Sequence, residues 1–339
     1  MDLQRTLLIG AIAVLSFMLL TEWVTFKDEK TAASVPETTR LISNDNTTTG
    51  ELPFAVDAPP ATASEHIPSV IDEKVEQTEV PAQVGNSGNI IEVFTDSLQL
   101  AIDLRGGDIV ELALPRHLAE IDQPDVPFTL LEQNQTRTYI AQSGLIGPDG
   151  IDSEGRATFT SAATRFDMAA GDEELVVDLN WQGQDGVQVT KRFTFTRGDY
   201  LIKIDYLVEN NSGERWQGNL FGQIKRDSSQ APAGDSGMGI QPFLGAAITQ
   251  PDERFTKFTF EDMREEPYKA QLPGGWIAML QHYFLSAWIP NADQSHTYST
   301  RVTSAGFNIA GFTSPALTLD PGQSGSTGAE FFAGPKDQY

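Results

Sequence analysis

The stretch VQVTKRFTFT, residues 187–196, places Val187, Val189, Phe193 and Phe195 at every second position, with Gln188, Thr190, Arg192, Thr194 and Thr196 between them. Successive side chains of a strand point to opposite faces, so the pattern predicts a strand with one face buried and one wet. Only Lys191 breaks the apolar face.

Working outward, residues 175–181 and 201–209 read as strands on either side. Asp185-Gly186 turns the first into 187–196, and Arg197-Gly198-Asp199 turns 187–196 into the second. Asn210-Asn211-Ser212-Gly213 closes the strand that follows. Upstream, residues 98–104 alternate as cleanly, and Gly106-Gly107 permits a tight positive-φ turn into a strand over 109–114. Downstream, residues 274–290, GGWIAMLQHYFLSAWIP, are the most apolar part of the domain. Gly274-Gly275 before them and Pro290 after them favour two buried strands, 276–280 and 284–289, around a turn at 281–283. Trp276, Phe284 and Trp288 would bury there, about 150–250 Å² each. Strands are further expected over 300–312, 316–319 and 330–333. Only 116–120 and 262–266 look briefly helical. Strands at this spacing over about 245 residues predict one all-β domain, a large sandwich of antiparallel sheets, at 90–339.

Ahead of it, residues 28–89 hold six prolines, threonine clusters such as Thr47-Thr48-Thr49 and few large apolar side chains. They cannot bury enough apolar surface to offset ordering and read as a flexible acidic linker. Residues 1–27 contain the one candidate membrane span, TLLIGAIAVLSFMLLTEWV at 6–24. At ~1.5 Å per residue it reaches roughly 28 Å, close to the bilayer's hydrocarbon thickness. Leu7, Leu8, Leu15, Phe17, Leu19 and Leu20 would face lipid, and Trp23 falls where an indole prefers the headgroup boundary. No small-x-small site follows Leu20 closely, which favours an uncleaved anchor over a removed signal. The flanking cations do not set orientation; the large domain is expected outside because long domains translocate largely regardless of charge.

The formal net charge of −24 falls as zero on residues 1–27, −8 on 28–89 and −16 on the remainder. So acidic a surface would repel nucleic acid phosphates and anionic headgroups, leaving the helix to hold the chain at the membrane. The sequence has no cysteine, which excludes disulfides, thiolate metal sites and cysteine nucleophiles.

Several stretches together resemble the N-terminal part of the YidC family of Gram-negative membrane protein insertases. They are Met1-Asp2-Leu3-Gln4-Arg5 with Ser16-Phe17-Met18, Asp103-Leu104-Arg105-Gly106-Gly107-Asp108, Ala141-Gln142-Ser143-Gly144-Leu145, Arg197-Gly198-Asp199-Tyr200, Phe221-Gly222-Gln223, Gly245-Ala246-Ala247 with residues 249–253, and 274–290. The resemblance implies one transmembrane helix and a periplasmic β-supersandwich similar to sugar mutarotases. The function it implies is assistance with insertion, folding and assembly of inner-membrane proteins, with and without the Sec translocon. The partners would be the inner membrane, the translocon with its accessory subunits, and nascent membrane proteins. Family members continue into five more membrane helices that form the insertion groove. No second apolar run of ~20 residues occurs here, so this chain is expected to hold the accessory part.

A competing reading is a membrane-anchored carbohydrate-binding or mutarotase-like sandwich, which needs a histidine acid and a carboxylate base in one cleft. His66 lies in the linker, His117 in a connector, His282 at a hairpin tip and His296 in a polar loop, none with an evident partner. No catalytic residue, cofactor or metal ligand set is assigned. The partner surface is expected within residues 240–289, where Arg254, Lys257 and Arg264 interleave with Phe255, Phe258 and Phe260. Arg254, Phe255, Lys257 and Phe258 are the candidate contacts, since a few aromatics among charges often carry an interface. Phe258 and Phe260 could equally be the inward face of a strand.

Overall fold

The computed structural model describes residues 89–119, 125–229, 243–250 and 254–336. The expected anchor, with Leu7, Leu8, Leu15, Phe17, Leu19, Leu20 and Trp23, and all but the last residue of the expected linker lie outside them. Among the described residues no helix is long and apolar enough to cross a membrane.

The described strands form two sheets. In spatial order the first has ten: β14 (Lys269–Pro273), β17 (Ser295–Val302), β18 (Asn308–Leu319), β11 (Trp216–Arg226), β5 (Thr138–Ile146), β4 (Pro127–Gln133), β3 (Asp108–Leu118), β2 (Gln99–Asp103), β1 (Ile90–Phe94) and β7 (Arg165–Asp167). The second has nine: β13 (Thr256–Thr259), β12 (Gly245–Ile248), β15 (Ile277–Leu280), β16 (Phe284–Pro290), β19 (Ser324–Pro335), β10 (Leu201–Asn210), β9 (Val187–Thr196), β8 (Glu174–Gln182) and β6 (Thr160–Ser161). Pairing is antiparallel throughout except β1 with β7, which run parallel. The all-β sandwich expected from the alternation is the architecture found.

The alternation decides which side chains meet. From β9, Val187, Val189, Phe193 and Phe195 are buried; from β10, Ile202, Ile204, Tyr206 and Val208. They join Ile91, Ile102, Leu112 and Tyr139 of the first sheet in one cluster that fills the space between the sheets. Each such side chain, fully buried, contributes roughly 1.5–3 kcal/mol. The hairpin expected at 274–290 is present as β15 and β16, with the Gln281 amide donating to the Phe284 carbonyl across the turn at 2.9 Å. Trp288 is buried against Phe331 and Phe312.

Lys191, the one break in the apolar face of β9, points into this core and is fully buried. Its Nζ donates to the carbonyls of Gly106 (3.0 Å), Gly107 (2.8 Å) and Ser143 (3.2 Å), so a strand of the second sheet is tied to a turn and a strand of the first. Beside it Arg156 bridges Asp108 and Asp152, with Nη1 2.9 Å from the Asp152 carboxylate and Nη2 also donating to Gly106 and Ser143 carbonyls. Asp152 accepts from the Leu145 and Ala157 amides, and Asp108 from Gln142 at 2.7 Å. The Tyr206 hydroxyl meets Ser143 Oγ at 3.0 Å. Gly106 and Gly107 do have positive φ, +87° and +61°. They also leave room: a Cβ on Gly106 would lie 2.4 Å from Arg156 Nε, and one on Gly107 2.8 Å from Lys191 Cδ.

Several local expectations are corrected. Residues 116–118 are not helical but extend β3, because Leu118 pairs with Pro127 of β4; the His117 Nε2 meets the Tyr200 hydroxyl at 3.0 Å. Residues 300–312 are two strands rather than one, split by a turn in which Gly306 (φ +83°) donates to Thr303 and Thr303 to Phe307. Residues 210–213 close β10 as expected and carry the chain to β11 in the other sheet, with the Asn210 side-chain Nδ2 donating to the carbonyls of Glu214 and Leu319. His296 is not in a loop: it is a buried residue of β17, bonded to Ser314 Oγ (3.0 Å) and the Asn291 carbonyl (2.7 Å). The last strand is longer than expected, starting at Ser324.

Candidate docking face

Two polar clusters compete for a functional role, and exposure decides between them. The Asp108–Arg156–Asp152–Lys191 group has side chains 0–7% exposed, so nothing from solvent reaches it. It is an inter-sheet clamp. The other cluster lies on the opposite face of the second sheet.

That face follows from the alternation of β15 and β12. Ile277 and Met279 join the main core, while Ala278 and Leu280 turn the other way. With Ala247 and Ala287 they form a second, smaller apolar cluster, against which Phe243, Trp276, Leu285 and Phe332 pack half-buried. At the sheet edge, β13 pairs Lys257 with Ala247, and side chains directly opposite share a face. Lys257 is exposed there, its Nζ 5.1 Å from the centroid of the Phe243 ring and 5.6 Å from that of Phe255. The Phe255 ring, 41% exposed, lies 5.9 Å from Trp276. Cation–π contacts of this kind contribute about 0.5–1 kcal/mol at exposed sites and hold the aromatics and the cation together. Lys336, after the end of β19, donates from Nζ to the carbonyls of Gln281 and His282 and from its amide to Tyr283. Burial lowers the Lys336 pKa, and the charge of Lys257 lowers it further.

A short helix fixes the edge. α1 (Phe260–Glu265) follows β13 directly, and Thr259 and Asp262 form a reciprocal capping box: Asp262 N to Thr259 Oγ1, 3.1 Å; Thr259 N to Asp262 Oδ2, 2.7 Å. The Thr259 N–H bond is the main cause of the lowered Asp262 pKa. Met263 then plugs into the core. Thr259→Ala is expected to cost about 1 kcal/mol, read as a lower urea midpoint with an unchanged slope.

Of the four candidate contacts, Arg254, Phe255 and Lys257 are exposed at this edge. Phe258 points inward instead, opposite Ala246, 5.0 Å from the Tyr268 ring and against the main core. Phe243, Trp276 and Lys336 belong to the face and were missed. Trp276 carried a legible signal, since Trp276, Ala278 and Leu280 share one parity and Ile277 and Met279 the other. Lys336 carried none, because only the sheet order brings the end of β19 beside the 281–283 turn. Among the described histidines, His117 and His296 bond hydroxyls and a backbone carbonyl, and the His282 ring lies tilted against that of Tyr283.

A family model described as the YidC periplasmic domain matches residues 90–339. The chain belongs to the YidC family. It is 42% identical over 341 residues to the membrane protein insertase YidC of Stutzerimonas stutzeri, covering all of this chain and 59% of that one. For the YidC of Pseudomonas aeruginosa strain PAO1 the identity is 41% over 362 residues, covering 100% and 61%. The Cellvibrio japonicus YidC is 40% identical over 346 residues, covering 99% and 59%. The chain thus spans about three fifths of the length of these curated YidC relatives. Among solved structures, a galactose mutarotase-like protein from Lactobacillus casei covers 72% of this chain and 99% of its own at 8% identity and a TM-score of 0.49. A galactose mutarotase related enzyme from Lactobacillus acidophilus covers 72% and 97% at 10% identity and 0.46.

Proposed function

We propose that residues 90–339 form the non-catalytic periplasmic module of a membrane protein insertase, held at the bacterial inner membrane by a helix at 1–27 through a linker at 28–89. The aromatic–basic face built on Arg254, Phe255, Lys257 and Trp276 docks an accessory subunit of the Sec translocon. Membership of the YidC family carries this reading. The face supports it locally: it clusters cations and half-exposed aromatics on a chain whose net charge is −24. A carbohydrate-active reading would need a histidine acid beside a carboxylate, and the hydrogen-bond partners of His117 and His296 are not carboxylates.

The test is Arg254→Glu with Lys257→Glu in the full chain, followed by co-purification with the translocon subunits. Both side chains are exposed and on the sheet edge, so the melting temperature is expected to move by no more than about 2 °C. Co-purification is expected to fall several-fold, because reversing charge at an interface both removes attraction and adds repulsion. Unchanged recovery at unchanged stability would remove this face from the docking role.

A further inference from the structure

Arg226, at the end of β11, is a fully buried guanidinium that takes part in no ion pair among the described residues. It shares its strand parity with Leu220 and Ile224 of the main core and lies directly across from Tyr139 of β5. Its Cζ is 4.6 Å from the centroid of the Tyr139 ring and 5.9 Å from that of Phe260. Nη2 donates to the Ser229 carbonyl at 3.3 Å, while Nε and Nη1 meet no acceptor among the described residues. The carboxylate next to it in sequence is already engaged: Asp227 accepts from the Ser229 amide at 2.7 Å and from the Thr138 amide. Burial lowers the Arg226 pKa, and the charge of Arg137 lowers it further, against Tyr139 and Asp227.

Arg137 has the same deficit. Its Nη1 pairs with Glu132, but its Nε and Nη2 are buried without a partner, and so is Ser229 Oγ. Two guanidiniums and a hydroxyl thus hold five buried polar atoms that have hydrogens to donate and nothing described to receive them. A buried charge left uncompensated is strongly destabilising, and a hydrophobic side chain of similar volume would be the more stable choice at position 226. A counter-anion removes the conflict. Guanidinium groups grip oxyanions through paired N–H groups. Five donor atoms exceed the roughly four acceptor positions of a carboxylate, whereas the four oxygens of a tetrahedral ion accommodate them.

We propose that Arg226, Arg137 and Ser229 form an enclosed site for a small tetrahedral oxyanion, phosphate or sulfate, which enters past the Arg137–Glu132 pair. That pair, with side chains 10% and 25% exposed, is where solvent reaches the group. A phosphorylated lipid or peptide does not fit, because Arg226 is 0% exposed. The bound ion serves as the counter-charge that ties the end of β11 to the start of β5. The site owes nothing to the docking role above and stands or falls apart from it.

Thermal unfolding of the full chain in detergent, dialysed free of phosphate and sulfate and held at fixed pH and ionic strength with chloride, tests the site. Adding inorganic phosphate to about 10 mM is expected to raise the melting temperature saturably by about 3 °C or more, since an ion that binds only the folded state stabilises it. Sulfate should act alike and acetate should not. In Arg226→Met the phosphate shift is expected to vanish, while the melting temperature in chloride alone equals or exceeds that of the parent, because an unpaired buried charge is gone. Ser229→Ala removes a hydroxyl that has no partner, so the fold should hold and the phosphate concentration of half-effect should rise several-fold. Four results overturn the proposal. They are no phosphate shift in the parent, a full shift with acetate, an equal shift in Arg226→Met, or an Arg226→Met protein that loses stability in every buffer. The third would mean a general salt effect, and the last that the chain itself supplies the partner.

Discussion

Replacing Arg156 with alanine is expected to cost the domain about 3–5 kcal/mol, because it strands two buried carboxylates. Asp108 and Asp152 are 7% and 1% exposed at the side chain, and the guanidinium is their shared cation. Burial by itself would lower the Arg156 pKa; the two carboxylates outweigh it and leave it raised, so the group stays charged. The same guanidinium donates to the carbonyls of Gly106 and Ser143, which would lose a partner at the same time. For a domain of this size the loss corresponds to a melting temperature lower by about 6–20 °C. Arg156→Lys should recover part of it, since the charge remains while the planar fork that reaches two carboxylates does not. Thermal unfolding of both variants checks this. A melting temperature within about 2 °C of the parent for Arg156→Ala would show that the carboxylates are satisfied without it.

The second large effect is a pH dependence set by Lys191. Burial lowers its pKa to about 7, against the opposing pull of Asp108. Its three carbonyl acceptors match the three N–H groups of an ammonium and work in the same direction as Asp108, towards the charged form. Between that value and the ordinary ~10.4 of a solvated lysine, the unfolded chain holds a proton that the folded chain has released. The unfolded state then binds more protons, so stability rises with pH across this window and is lost as pH falls towards 7. The slope approaches ~1.4 kcal/mol per pH unit, the limit for one proton. Urea unfolding from pH 7 to pH 9.5 should show the rise, and Lys191→Met should flatten it. The upper limit matters, because Tyr206 is held well above its usual pKa by burial and contributes a fall in stability once unfolded tyrosines ionise. Parallel pH profiles for the parent and Lys191→Met would show that Lys191 keeps the same charge in both states.

These two side chains also mark where the sequence was readable. The alternation of 187–196 identified β9 residue by residue, since period two is a local property, and the same logic recovered β8, β10 and the β15–β16 hairpin. Lys191 was visible only as an interruption. Its partners lie 48, 84 and 85 positions away in sequence, so nothing local announces that an apolar face can hold an ammonium there. Arg156 and Asp152 lie in a segment without periodicity and gave no signal. Gly106-Gly107 was legible as a turn but not as the space that Arg156 and Lys191 fill. On the candidate face, Arg254, Phe255 and Lys257 share an exposed edge, while Phe258 turns to the core because strand parity overrides composition. The helical look of 116–120 failed for a related reason: tertiary pairing with Pro127 decided a segment whose local propensity was ambivalent.

The seating of β19 has a mechanical consequence. It lies between β10, over nine residue pairs, and β16, over seven, and the Lys336 amide and ammonium fasten its end to the 281–283 turn. Tension applied along the chain at residue 336 would therefore load two antiparallel ladders in shear, where many hydrogen bonds must slip together, rather than peel them one at a time. Any pull from that side would be borne by the body of the second sheet.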